Sequence, residues 1–128
     1  MSIVGVDYGK KYLGLAICTN GTPTPLTAVV TSSMDHKCKI IKELSEKWQT
    51  TRIIVGSVTG KLKEDINLLV NKLKKLNLDV VLVDEQYSSH LSWENMIRDN
   101  IPQRKRKLNE HSYAAAILIE RYLNSLVS

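Results

Sequence analysis

The stretch IVGVDYGKKYLGLAI, residues 3–17, constrains the fold more than any other part of the chain. Two apolar runs, 3–6 and 12–18, flank a polar turn built on Gly9, with Lys10 and Lys11 solvated beside it. That pattern predicts a β-hairpin. Gly5 and Gly14 fall inside the runs, where glycine weakens a strand unless something must come close. Asp7 ends the first run, placing a carboxylate at the last position of an otherwise apolar strand.

The segments after the hairpin set the architecture. A third strand is expected over 27–31, after a turn at Pro23 and Pro25. Ser33 then caps a helix over 34–48, with Ile40, Ile41, Leu44 and Trp48 on one face. The apolar run at 52–56 reads as a strand. A helix comes next over 62–76, with Ile66, Leu69, Leu73 and Leu76 at helical spacing. VVLV at 80–83 is wholly apolar and is expected to be covered on both faces. A helix over 89–100, the basic stretch IPQRKRKLN, and a last helix over 110–126 capped by Asn109 complete the order β-β-β-α-β-α-β-α-α. A meander followed by βαβ units implies an α/β domain: a mixed five-stranded sheet with helices on both faces. At 128 residues the chain is expected to be a single domain, 1–128.

The totals narrow the partners. The net charge of +5 and a pI near 9.3 favour a polyanion, with nucleic acid first. Cys18 and Cys38 are too far apart for a CxxC pair, and the three histidines complete no zinc spacing. A reduced, cytoplasmic setting fits. No apolar stretch approaches the ~18 residues of a membrane span, so no membrane partner is expected.

Carboxylates converge if the strands after the hairpin run parallel to the first. Asp7 ends the first strand, Gly56 and Ser57 the fourth, and Asp84 and Glu85 the fifth. Ligands collect at that edge of such a sheet. Carboxylates from different strands repel there unless a cation or a proton lies between them. Mg²⁺ takes oxygen ligands of this kind together with phosphate oxygens, and metal-assisted phosphodiester hydrolysis uses such a set. Asp84 is equally a turn residue accepting backbone hydrogen bonds. Arg104, Lys105, Arg106 and Lys107 read as a loop beside this site, where they would neutralise flanking phosphates, aided by the N-terminus of the last helix.

These residues carry a family resemblance. GVDYGKKYLGLAI resembles the opening G-x-D-x-G-x-x-R-x-G-x-A of the YqgF/RuvX family, Holliday-junction-resolvase-like nucleases with an RNase H-like fold. IIVG (53–56) resembles the family's middle strand, and DEQYSS (84–89) its D-E-R-x-[ST]-[ST] segment. RKRKLNEHSYAAAILIERYL (104–123) resembles its basic stretch followed by D-x-x-A-A-x-x-I-L. The resemblance implies an RNase H-like domain and a nuclease dependent on Mg²⁺ or Mn²⁺. Its catalytic and metal-binding residues would be Asp7, Glu85 and the residue in the place of the third acid, His111. The implied substrates are the 5′ end of the small-subunit ribosomal RNA precursor or a branched DNA junction. Symmetric junction cutting would need a homodimer. Lys10, Lys11 and residues 104–107 are the expected nucleic-acid contacts. Three positions depart from the pattern: Tyr12 and Gln86 replace arginines, and His111 replaces an aspartate. An imidazole can ligate a metal or act as general base, and it suits Mn²⁺ better than Mg²⁺. The departures also motivate a rival reading, a nucleic-acid-binding homologue with impaired catalysis. A remoter one takes D-x-G-x-x-x-x-G-L-A as the phosphate loop of an actin-like nucleotide-binding fragment.

Overall fold

A computed structural model describes residues 2–57, 62–84, 98–99 and 103–126, with backbone alone at 57, 84 and 103–108. The hairpin forms as β1 (Ile3–Tyr8) and β2 (Tyr12–Cys18), paired antiparallel with Asp7 opposite Gly14. The strand runs one residue past Asp7, so the carboxylate is not its last position. In place of one strand at 27–31 there are two short ones, β3 (Thr24–Pro25) and β4 (Val29–Val30), both pairing with β2. Pro25 cannot donate to a ladder, which keeps pairing in this stretch short.

Helix α1 spans Met34–Lys47, and the Ser33 hydroxyl accepts from the His36 amide as its N-cap. Strand β5 (Arg52–Ser57), helix α2 (Lys63–Lys75) and strand β6 (Val80–Asp84) come next in the chain. The two strands extend the sheet beyond β1, and β1, β5 and β6 are mutually parallel. The strand order is β3-β2-β1-β5-β6. Helix α3 spans Gln103–Ser125. The sheet is therefore mixed, as the sequence predicts.

Strand alternation sorts the core into two layers. Val4, Val6, Leu13, Leu15 and Ile17 point to one face, where they meet Ile41 of α1 and Ile66, Leu69 and Leu73 of α2. Ile3, Ala16, Cys18 and Ile54 point to the other, where they meet Ala115, Leu118, Ile119 and Tyr122 of α3. The two cysteines are buried as free thiols, one in each layer.

Further expectations change. The buried face of α1 is Lys37, Cys38, Ile41 and Ser45, with Ile40 and Leu44 flanking it and Trp48 exposed. A lysine inside the stripe disguised its phase. Strand β6 is the edge of the sheet among the described residues, and Leu82 is 44% exposed rather than covered. The basic run is no loop: residues 103–109 are already helical, so Asn109 does not cap α3. Arg, Lys and Leu are strong helix formers, and their intrinsic preference prevails there. The N-terminus of α3 consequently lies about two turns, or roughly 12 Å, from His111, and cannot supply amides to an anion beside it. The helix expected over 89–100 lies outside the described residues except for Arg98 and Asp99.

Candidate active site

The site is built where α3 crosses the hairpin. Gly5 and Gly14 face α3, and no side chain would fit at either. A Cβ on Gly14 would stand 2.2 Å from the carbonyl carbon and oxygen of His111, and one on Gly5 would stand 2.6 Å from the Ala115 carbonyl oxygen. The two glycines thus let the helix backbone rest on the strands, the close approach that their place in the sequence anticipates. Ser112 is buried in the contact, and its hydroxyl accepts the Leu15 amide at 3.2 Å. This contact also fixes the register of His111 against β1.

Asp7 projects from β1 toward the same helix and is 3% exposed. Its Oδ2 lies 2.6 Å from Nδ1 of His111, whose side chain is partly exposed. A carboxylate accepts only, so Nδ1 carries the proton of this bond, and in the neutral ring Nε2 is the acceptor. The Tyr12 ring stacks on the imidazole, with centroids 5.4 Å apart and planes inclined by 18°. Gly9 approaches from the turn: a Cβ there would stand 3.4 Å from His111 Cε1. Two of the three departures from the family pattern, Tyr12 and His111, are therefore in contact, and one of them holds Asp7.

A further residue stands beneath the turn. Lys37 has no exposed surface, and its Nζ donates to the Gly9 and Lys10 carbonyls at 2.8 and 2.9 Å. It also lies 4.2 Å from the centroid of the Tyr8 ring. Burial pushes the ammonium pKa down, and Asp65 opposes that shift. Burial pushes the Tyr8 hydroxyl up, helped by the charge and hydrogen bond of Asp65. The turn leading away from Asp7 is thus fastened from below by a charge that the sequence reading missed. The available signal was a lysine at the spacing of the apolar stripe of α1.

Lys10 and Lys11 are exposed on the turn just beyond Asp7. Glu85 lies outside the described residues, directly after β6. Ser57 and Asp84 are paired at the ends of β5 and β6, and Val6 pairs with Val55. The C-terminal ends of β1, β5 and β6 therefore share one sheet edge, and the backbone reaches Asp84 there. Among the described residues no three His, Cys, Asp or Glu side chains are grouped closely enough to hold a metal ion. For residues 104–107 the helix places positions 104 and 107 on the same stripe as 111, because seven residues make nearly two turns.

Comparison with known proteins bears on the fold and the family. Residues 1–125 match the family model described as RuvX, Holliday junction resolvase. A protein of Malacoplasma penetrans named "Putative pre-16S rRNA nuclease" is 30% identical over 133 residues, covering 96% of this chain and 94% of its own. A protein of the same name from Methylobacillus flagellatus is 29% identical, covering 98% of this chain and 92% of its own. Among solved structures, fowlpox virus resolvase with substrate Holliday junction DNA superposes with a TM-score of 0.71 at 13% identity, covering all of both chains. Thermus thermophilus RuvC with a Holliday junction substrate gives 0.57 at 12% identity, covering 100% of this chain and 97% of that one. At such identities these neighbours establish the fold, which is RNase H-like. The family match, which takes in residues 1–125 of the 128, shows that this chain belongs to the RuvX family.

Proposed function

We propose that the chain hydrolyses phosphodiester bonds in structured nucleic acid, with Asp7, Glu85 and His111 as its site residues and Mg²⁺ or Mn²⁺ as its cofactor. The observation that carries this reading is the buried Asp7 carboxylate, held by His111 at 2.6 Å at the edge where three parallel strands end. The donor set suits a hard divalent cation: Asp7 would hold it, joined by Glu85 from the end of β6. When bound, such a cation supplies Lewis-acid stabilisation of charge on the phosphoryl oxygens. The chain's own part is to fix Asp7 and to keep a proton acceptor beside it. With Nδ1 engaged by Asp7, any base role of His111 toward the substrate would fall to Nε2, and ligation through Nδ1 is disfavoured.

Lys10 and Lys11 on the turn, and Arg104, Lys105, Arg106 and Lys107 at the start of α3, would neutralise backbone phosphates around the scissile one. No described element resembles a base-reading module, so recognition would depend on shape and phosphate position. The relatives' shared name favours precursor small-subunit ribosomal RNA over a DNA junction, and the 5′ end of that precursor is the substrate expected from the family resemblance. A cytoplasmic location accords with that substrate and with buried free thiols. A junction role would require a homodimer presenting two sites. No described helix is long and apolar enough to cross a membrane.

Impaired catalysis is the rival reading, and the imidazole in the place of an acid favours it. Labelled precursor RNA and labelled junction DNA, incubated side by side with Mg²⁺ and with Mn²⁺, test both. Metal-dependent cutting of the RNA at a defined position supports the proposal. Tight binding of either substrate without cutting in either metal supports the rival.

A further inference from the structure

Tyr12 belongs to neither apolar layer of the core, yet its placement is firmly held. It opens β2, pairs with Val30 of β4, and accepts the Gly9 amide at 3.0 Å through its carbonyl. Its ring is a fixed platform supplied by the sheet. The imidazole that lies on it comes from α3, 99 residues further along the chain (111 − 12).

The imidazole has two soft torsions, and the outer one is broad. Two neighbours bear on it besides Asp7: Gly14 sets how near the helix backbone lies, and Tyr12 covers a face. The carboxylate selects which edge of the ring meets it, but a hydrogen bond to one oxygen does not by itself set the plane of the ring. A parallel aromatic face opposes tilting out of that plane, so the ring turns only within it. From these contacts we infer that Tyr12 is a positioning residue: by stacking on His111 it sets the plane in which Nδ1 meets Asp7 and Nε2 faces the site. The aromatic face does this work, not the hydroxyl. The effect on turnover rests on the nuclease reading above, whereas the effect on the imidazole does not.

Nitrogen-15 NMR of the full chain labelled at histidine separates these two claims. In the wild type, His111 should show one tautomer, protonated at Nδ1, with slow exchange of that proton. Tyr12→Phe and Tyr12→Trp should keep both properties. Tyr12→Leu and the β-preferring Tyr12→Thr should speed the exchange roughly tenfold and mix the tautomers, because a loosened geometry weakens the bond to Asp7. In cutting assays the same two variants should lose roughly tenfold in kcat with KM within about twofold, and Phe and Trp should restore it. Unchanged His111 signals in the folded Leu and Thr variants would overturn the inference. So would Tyr12→Phe disturbing the imidazole as much as Tyr12→Leu. If the imidazole responds as expected and no protein cuts in either metal, the positioning role stands and the nuclease reading fails.

Discussion

Gly14 stands opposite Asp7 in the antiparallel ladder, and the space its side chain would fill is occupied by the backbone of His111. The pairing of Asp7 with His111 depends on this. Strand register carries Asp7 to the helix-facing side, and the missing Cβ across the ladder lets the helix descend far enough for Nδ1 to reach the carboxylate.

Gly14→Ala should therefore damage stability and site together. The added methyl overlaps backbone, not a flexible chain end, so α3 must lift. We expect a loss of about 3 kcal/mol, measured by urea unfolding, and loss of the ordered His111 proton even where the variant still folds. Normal stability with an intact His111–Asp7 bond would contradict the packing described.

Lys37→Met tests the fastening of the turn. The methyl thioether fills similar space but strands the Gly9 and Lys10 carbonyls, which should cost about 2 kcal/mol. Amide exchange over 9–11 should accelerate first. Because burial lowers the folded pKa of Lys37, the folded state binds fewer protons than the unfolded one just below the ordinary lysine value. The advantage of wild type over Lys37→Met should thus grow as pH rises toward about 10.4, a trend that unfolding curves at several pH values would reveal.

Tyr113 has the opposite sign. Its hydroxyl donates to Asp99 at 2.9 Å, and burial together with this partner pushes its pKa up to about 12. A raised folded value means stability that is fully present below the ordinary tyrosine pKa and is lost as pH climbs through the folded one. Tyr113→Phe should be less stable than wild type by about 1 kcal/mol up to pH ~10. The difference should shrink and reverse between about pH 10 and 12.

Much of this was legible in the chain. The hairpin, its two out-of-place glycines and the capping Ser33 have local causes, so short windows reveal them. The features that escaped have non-local causes. VVLV looks doubly covered, but nothing in its own letters says that β6 has no described neighbour beyond it. Four consecutive charges look like a loop, yet their helix propensity carries α3 through them. Lys37 looks like an error of phase in an apolar stripe until the turn that it fastens is seen. The contact of Asp7 with His111 spans 104 residues (111 − 7), and only the family resemblance connected them beforehand. Tyr12 departs from the pattern in the letters alone, but its stacking on the other departure is visible only in the structure.

The extension of α3 sharpens the expectation for the basic run. Positions 104 and 107 share the stripe of His111, and 105 and 106 do not. Replacing Arg104 and Lys107 together by Gln should weaken nucleic-acid binding more than replacing Lys105 and Arg106. It should also flatten the log–log salt dependence by about one unit per lost phosphate contact. Equal effects from both pairs, read in a salt titration, would mean a diffuse charge effect only.

The part played by His111 can be read from metal preference. As a base acting through Nε2, its replacement in His111→Asp should slow cutting in Mg²⁺ and in Mn²⁺ alike. As a ligand, the same change should move the preference toward Mg²⁺, because an oxygen replaces a nitrogen. The general-base role proposed above predicts the first outcome, to be checked by single-turnover rates at matched metal concentrations.

The most direct measurement is cutting of labelled precursor RNA by wild type, Asp7→Asn and His111→Ala under one metal condition, with folding of each protein confirmed by unfolding curves. Asp7→Asn keeps the shape but is a weaker ligand and a poorer partner for the imidazole. Wild type should cut at a defined position, Asp7→Asn should fall by at least roughly a hundredfold, and His111→Ala by roughly the 10²- to 10⁴-fold that general base catalysis contributes. Folded Asp7→Asn and His111→Ala proteins that cut at the wild-type rate would show that the reaction takes place elsewhere on the molecule.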